Sequence, residues 1–220
     1  MEIAQKNRLR QAVRRALFGL LPSWALTERV ENADRAVFLT FDDGPHPEHT
    51  PKLLDELARY GAKATFFAVG GRIAEHPEIA RRIVAEGHTL GHHSYHHTDP
   101  SHTTAAQLAE EIEKTLALAK EHGLGVLRFF RPPHGKLTAG KLGRLMRSRQ
   151  STVLWNVDTK DYSCDHEWEI IAWLERNPLR PGDIALMHDN HAVAPRAIGA
   201  VLEQLQSSGL EAKALTIDHL

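Results

Sequence analysis

From Ala36 onward, short runs rich in β-branched and aromatic residues alternate with segments of helical period, and this alternation is what most constrains the fold. Runs at 36–41, 64–69, 88–91, 127–130, 152–157, 183–187 and 211–217 read as strands. Segments 50–60, 77–86, 104–121, 141–149, 167–175 and 196–206 read as helices between them. Strands separated by helices pair in parallel through right-handed crossovers. Segment 104–121 is acidic early, carries lysine late and has Gly123 just beyond, which suits the helix dipole and a C-terminal stop. Seven strand–helix units in fewer than about 200 residues predict a single-domain α/β fold built as a small, distorted barrel, with an open doubly wound sheet as the competitor.

Hydrophobic residues make up 42% and charged residues 25% of the 220-residue chain, as in globular proteins that bury a core. Lys plus Arg (27) and Asp plus Glu (28) nearly cancel, so no global field gathers nucleic acid, and none is expected as a partner. The single cysteine, Cys164, excludes an intrachain disulfide and a multi-cysteine zinc site. Histidine is abundant, at 15 residues, and imidazole is the commonest metal ligand. The apolar stretch 16–21 is cut by Pro22 and is far shorter than the roughly 20 residues of a spanning helix. Lys6, Arg8, Arg10, Arg14 and Arg15 precede it, and Leu9, Val13, Leu17, Leu20 and Trp24 recur at helical spacing. Residues 1–33 are therefore expected as a basic amphipathic helix and extension, and 34–220 as the globular domain. That helix either packs on the domain or lies on an anionic membrane surface. No small-residue cleavage site follows residues 24–26, so a cytoplasmic protein, in solution or at a membrane, is expected ahead of an exported one.

The polar clusters fall at the ends of the predicted strands. Asp42 and Asp43 follow the first strand, a histidine cluster the third, Arg131 the fourth, Asp158 and Asp161 the fifth, and His188 and Asp189 the sixth. In a parallel α/β fold these C-terminal ends share one rim, where active sites of such folds sit. Singly, each cluster has a plain structural meaning. Asp42-Asp43-Gly44-Pro45 is also a turn with capping aspartates. His92, His93, His96 and His97 give two pairs at a spacing of four, and either pair could hold a metal from one helical turn or belong to a solvated patch. A zinc peptidase would carry glutamate after the first histidine, whereas Ser94 follows His93. A two-histidine, one-carboxylate iron oxygenase uses a similar donor set, but the second carboxylate and His188 speak against it. Arg131-Pro132-Pro133-His134-Gly135 reads as a stiff loop, and 184–187 as a buried strand that delivers His188 to the rim.

Taken together, Thr40-Phe41-Asp42-Asp43-Gly44-Pro45, Gly87-His88 with His93-Ser94-Tyr95-His96-His97, and Arg131-Pro132-Pro133-His134-Gly135 resemble the polysaccharide deacetylase family, the NodB-like domain of carbohydrate esterase family 4. Asp158-Thr159-Lys160-Asp161-Tyr162 and Leu186-Met187-His188 look like that family's two remaining motifs, so the resemblance spans about 36–217. It implies a distorted (β/α)7 barrel. It also implies Asp43, His93 and His97 as ligands of one divalent metal, zinc first by donor type, with cobalt, nickel or manganese suited to the same set. Asp42 would be the catalytic base, held ionised by Arg131, and His188 the acid, oriented by Asp161. The backbone N–H of His134 would stabilise the oxyanion, and Tyr162 and Leu186 would line the acyl site. His92 and His96 would not bind the metal. His134 stands where the family commonly has tyrosine and Tyr162 where it has tryptophan, which leaves the acyl preference open. The implied reaction is metal-dependent hydrolysis of the N-acyl group, acetyl by default, of an amino-sugar oligosaccharide or polysaccharide. The alternatives are deformylation of a lipid-linked formamido sugar and a catalytically silent glycan-binding domain.

Overall fold

The computed structural model describes residues 21–220. The basic segment 1–20 lies outside the described residues, and with it the predicted amphipathic stripe except Trp24, which is 42% exposed. Among the described residues no helix is long and apolar enough to cross a membrane.

The strands are β1 (Leu26–Thr27), β2 (Ala36–Asp42), β3 (Thr65–Ala68), β4 (Thr89–His92), β5 (Phe129–Phe130), β6 (Ser151–Val153), β7 (Val157–Asp158), β8 (Ile184–His188) and β9 (Glu211–Ala212). The helices are α1 (His49–Arg59), α2 (Gly70–Glu75), α3 (Pro77–Ala85), α4 (Ala105–Glu121), α5 (Ala139–Arg147), α6 (Glu167–Arg176) and α7 (Val193–Ser207). All strand pairs are parallel, in the order β1-β6-β5-β4-β3-β2-β8-β7, with β9 added to β2. From β2 to β6 the order runs one way without reversal. A doubly wound sheet would reverse, so this is the single winding of a barrel, here a curled half-barrel, as the strand count predicts.

Strand alternation decides which side chains reach the inside of the curl. In β2, Val37, Leu39 and Phe41 join the outer core beneath the helices, and Thr40 and Asp42 point the other way. In β8, Ala185 and Met187 join the same core, which leaves Leu186 and His188 on the inner face. The outer core is closed chiefly by α1 and α7, where Leu53, Leu54 and Leu57 share one buried cluster with Ile198, Val201 and Leu202.

Four elements depart from the sequence expectation. The run 152–157 is two strands on opposite flanks of the sheet, β6 beside β5 and β7 beside β8. At the end of β6 and just beyond it, the Val153 and Leu154 carbonyls accept from Arg131, and the Asn156 amide bonds to Asp183 and to the Ile184 N–H, so the residues between β6 and β7 bridge the opening of the curl. The run 211–217 pairs only over β9. Beyond it the Leu215 N–H donates to Thr65 Oγ1 and the Leu215 carbonyl accepts from Thr89 Oγ1, so this segment crosses beneath β3 and β4 as a floor. Helix α2 is unexpected because it opens on Gly70-Gly71, a pair that reads as a breaker. The glycine is required there: a Cβ on Gly70 would lie 2.6 Å from both Thr115 Oγ1 and the Tyr95 ring. Strand β1 is too short for a periodic signal, yet Ala25, Leu26 and Val30 are buried against the sheet.

Leu57 is fully buried between α1 and α7, and Val126 is 75% exposed. Leu57→Ala should cost about 2–5 kcal/mol in urea unfolding. Val126→Ala should stay within about 0.5 kcal/mol.

Candidate active site

Arg131 leaves the end of β5 and lies wholly buried inside the curl. Its Nη1 donates to Asp42 Oδ1 at 2.7 Å and to Thr40 Oγ1 at 2.8 Å, Nε to the Val153 carbonyl at 3.1 Å, and Nη2 to the Leu154 carbonyl at 2.9 Å. The guanidinium rests on the Phe67 ring at 4.0 Å from its centroid. Burial raises the Asp42 carboxyl pKa above the ordinary carboxylate value, and the Arg131 charge pulls it only part of the way back. Asp42 is thus a stronger base than an exposed aspartate, fixed through one oxygen.

Asp42 Oδ2 lies 3.7 Å from His93 Nε2, and Asp43 Oδ1 lies 3.7 Å from His93 Nε2 and 3.2 Å from His97 Nε2. The other Asp43 oxygen accepts from Asn190 Nδ2 at 3.1 Å. His93 Nδ1 bonds to the Arg131 carbonyl at 2.6 Å. A carbonyl can only accept, so Nδ1 carries the hydrogen and Nε2 turns a lone pair toward the two carboxylates. Burial pushes the His93 pKa down to about 3, so this imidazole is neutral at pH 7. Asp43 Oδ1 is buried and without a hydrogen-bond partner. A buried, unpartnered carboxylate oxygen facing the lone pair of His93 Nε2 is what a cation requires, and one carboxylate with two imidazoles suits a borderline metal with positions left for water and substrate.

The spacing of four does not act through a helical turn. His93 and His97 come together around an irregular loop in which Ser94 (φ 65°) and His97 (φ 57°) adopt the left-handed conformation, with the His97 N–H donating to Ser94 Oγ at 3.1 Å. His92, the last residue of β4, points to the opposite side from His93. Its Nε2 bonds to Gln150 Oε1 at 3.0 Å, and its ring packs on Phe130. His96 Nδ1 lies 2.5 Å from Glu111 Oε1, directed outward. Neither faces Asp43.

Across the curl, Asp42 and His188 are register partners on adjacent strands. Asp161 is fully buried, with Oδ1 at 2.9 Å from His188 Nδ1, while its Oδ2 accepts from the His188 backbone N–H at 2.7 Å and stands 3.6 Å from His191 Nε2. Desolvation alone would lower the His188 pKa. The Asp161 hydrogen bond and charge, with Asp42 and Asp43 nearby, outweigh it and raise the value to about 9, so His188 is protonated at neutral pH. The Tyr162 ring stands edge-on to His188 at 5.5 Å, 56% exposed, with its hydroxyl on Asp158. His134 has φ 54° in the loop after β5, and its ring meets His97 at 5.1 Å. Leu186 is buried two residues before His188 on the same face.

Two further groups belong to this rim: Asn190, which the sequence did not single out, and Asp189, which the sequence placed at the strand end without a role. Asn190 orients Asp43 and is marked only by lying two residues after His188. Asp189, fully buried, accepts from Thr50 Oγ1 at 2.5 Å, and a Cβ on Gly44 would fall 2.2 Å from its carboxyl, so the Asp-Asp-Gly turn needs its glycine for close approach.

Comparisons with known proteins give the chain's family and fold. Residues 29–148 match the family model described as polysaccharide deacetylase. A chitooligosaccharide deacetylase from Bradyrhizobium is 35% identical over 158 residues, covering 71% of this chain and 72% of the relative. A peptidoglycan-N-acetylglucosamine deacetylase from Bacillus cereus is 30% identical over 195 residues, 86% and 91% of the two chains. Among solved structures, a family 4 carbohydrate esterase from Streptomyces lividans in complex with acetate superposes with a TM-score of 0.78 at 31% identity, over 84% of this chain and 95% of that one. With more than half of its length matched by the family model and its rim built as described, the chain belongs to the polysaccharide deacetylase family.

Proposed function

We propose that this protein hydrolyses the N-acyl group, acetyl first, of an amino sugar within an oligosaccharide or polysaccharide. The observation that carries the reading is the meeting, on one rim, of a three-donor cation site, a buried carboxylate base and a protonated imidazole. The polysaccharide deacetylase family is metal-dependent, and Asp43, His93 and His97 are the residues that would hold the ion, zinc by donor type or otherwise cobalt, nickel or manganese. When bound, a divalent ion of this kind supplies Lewis acidity and lowers the pKa of a coordinated water toward about 7.

The chain's own groups then divide the work. Asp42, anchored through Oδ1 by Arg131, accepts a proton from the attacking water on its other oxygen. As the new C–O bond forms, the carbonyl oxygen becomes an oxyanion, and the His134 backbone N–H donates to it, a contribution of about 3 kcal/mol for one such donor. His188 gives its Nε2 proton to the nitrogen as the C–N bond breaks, releasing the amine sugar and the carboxylic acid. Asp161 keeps that imidazole charged and aimed by holding Nδ1. Tyr162 and Leu186 bound the space where the acyl group sits. The Bradyrhizobium and Bacillus relatives act on chitooligosaccharide and peptidoglycan N-acetylglucosamine by name, which supports N-acetylglucosamine polymers as the substrate class.

Acetate and formate release from N-acetylglucosamine oligomers and formamido sugars, before and after zinc is returned to chelated protein, tests the reading. Zinc-dependent acetate release is expected; formate release alone would favour the lipid-linked formamido sugar. No acid from any of them, with one metal still bound, would favour a silent glycan-binding domain. Asp42→Asn should keep its zinc and lose turnover by about 10²–10⁴-fold, measured as acid release. His97→Ala should lose stoichiometric zinc by elemental analysis, and His96→Ala should retain it. The pH profile should fall on the alkaline side as His188 deprotonates near 9. Asp161→Asn removes the anion that raises that value, so the alkaline limb should move down toward the ordinary histidine range of about 6.5.

A further inference from the structure

The loop between His93 and His97 is held by contacts that no ligand makes. On one side the N–H groups of Gly70 and Gly71, at the start of α2, donate to the Ser94 and Tyr95 carbonyls, each at 2.9 Å. On the other side a single side chain from the middle of α4, Glu111, accepts the backbone N–H groups of both Tyr95 and His96 on Oε2, each at 2.8 Å, while its Oε1 meets His96 Nδ1 at 2.5 Å. These two successive N–H groups face one carboxylate oxygen, a backbone cradle for an anion. Glu111 fills that cradle with a side chain only 17% exposed. One turn further along α4, Lys114 Nζ lies 3.5 Å from the Tyr95 ring centroid and Thr115 Oγ1 lies against Gly70. Left-handed non-glycine residues such as Ser94 and His97 persist only where the surroundings over-determine them. Glu111 is the anionic member of those surroundings, and it grips the loop backbone directly.

We infer that Glu111 is the positioning residue of the metal centre: by filling the N–H cradle of Tyr95 and His96 it holds His97 against Asp43 and His93, and so sets the protein's affinity for its metal. The inference rests on Asp43, His93 and His97 as the metal donors. A glutamine at 111 keeps the shape but carries no charge and can set only one acceptor oxygen against three donors, so the cradle closes less tightly and the arrangement of His93 and His97 loosens.

The test is a competitive zinc titration of the full chain, wild type against Glu111→Gln, with Glu110→Gln as an exposed control on the same helix. Glu111→Gln should bind zinc about 10–100-fold more weakly, the range for losing a group that orients a ligand. Its apo form should stay folded by far-UV circular dichroism, a signal that a general folding defect would lose. Cobalt-substituted Glu111→Gln should show a shifted d–d spectrum, and Glu110→Gln should match wild type throughout. Unchanged zinc affinity and cobalt spectrum in a folded Glu111→Gln would overturn the inference. Zinc affinity in His97→Ala equal to wild type would instead overturn the donor assignment on which it rests.

Discussion

The Arg131 guanidinium inside the curl is the contact on which the rest of the molecule depends. A buried ion pair is weak as a source of stability, since desolvating each charge costs several kcal/mol that their attraction repays only with good geometry. Arg131 has that geometry, with hydrogen bonds to Asp42, Thr40 and the carbonyls of Val153 and Leu154. Those carbonyls are therefore spent before they can join a ladder, and the chain breaks between β6 and β7. One cation thus fixes Asp42, ends a strand and sets where the half-barrel opens. The loop that carries His93 and His97 hangs from the same residue, because the Arg131 carbonyl accepts from His93 Nδ1 and selects the tautomer whose Nε2 faces Asp43.

Around the opening, four acidic side chains lie close together, and each is matched differently. Asp42 has Arg131, Asp161 has His188, and Asp43 faces His93 and His97 with Asn190 holding its second oxygen. Asp189 is the remainder. Burial, with repulsion from Asp43 and Asp42, raises its pKa to about 7 despite the hydrogen bond from Thr50, so a proton takes the place of a counter-charge on a large share of molecules at neutral pH. The same crowding of anions keeps His188 charged against its own burial. Asp42 and His188 are therefore coupled directly, His188 lowering the carboxyl value and Asp42 raising the imidazole value.

Much of this was readable in the chain. Alternating periods specify a parallel α/β fold, and alternation within β2 and β8 puts Asp42 and His188 on the inner face once the outer core is recognised. The polar residues at strand exits then have to share a rim. What was not readable are contacts set by three-dimensional closure. Strand 152–157 looked continuous because the demand of Arg131 on its carbonyls is invisible in sequence. Helix α2 was hidden by the two glycines that its close approach to Tyr95 and Thr115 requires. Asn190 belongs to no pattern of its own, and Asp189 stood at a strand end with nothing to show that Thr50 and Gly44 meet it.

The histidine cluster shows how far spacing alone carries. Two pairs at a separation of four looked equivalent on the assumption of a helical turn, and the assumption fails because β4 runs as far as His92. A strand alternates sides, so His92 is committed to Gln150 and Phe130, and His93, the next residue, to the rim. From there the chain must reverse within a few residues to return a second imidazole to the same point. A left-handed residue at each end of the loop does this, at a conformational cost of about 1–2 kcal/mol apiece for a non-glycine side chain. That cost is offset by bonds to backbone groups from α2 and α4. Selection between the pairs is therefore made by where the strand stops and by what grips the loop beyond it, and the spacing of the histidines carries neither.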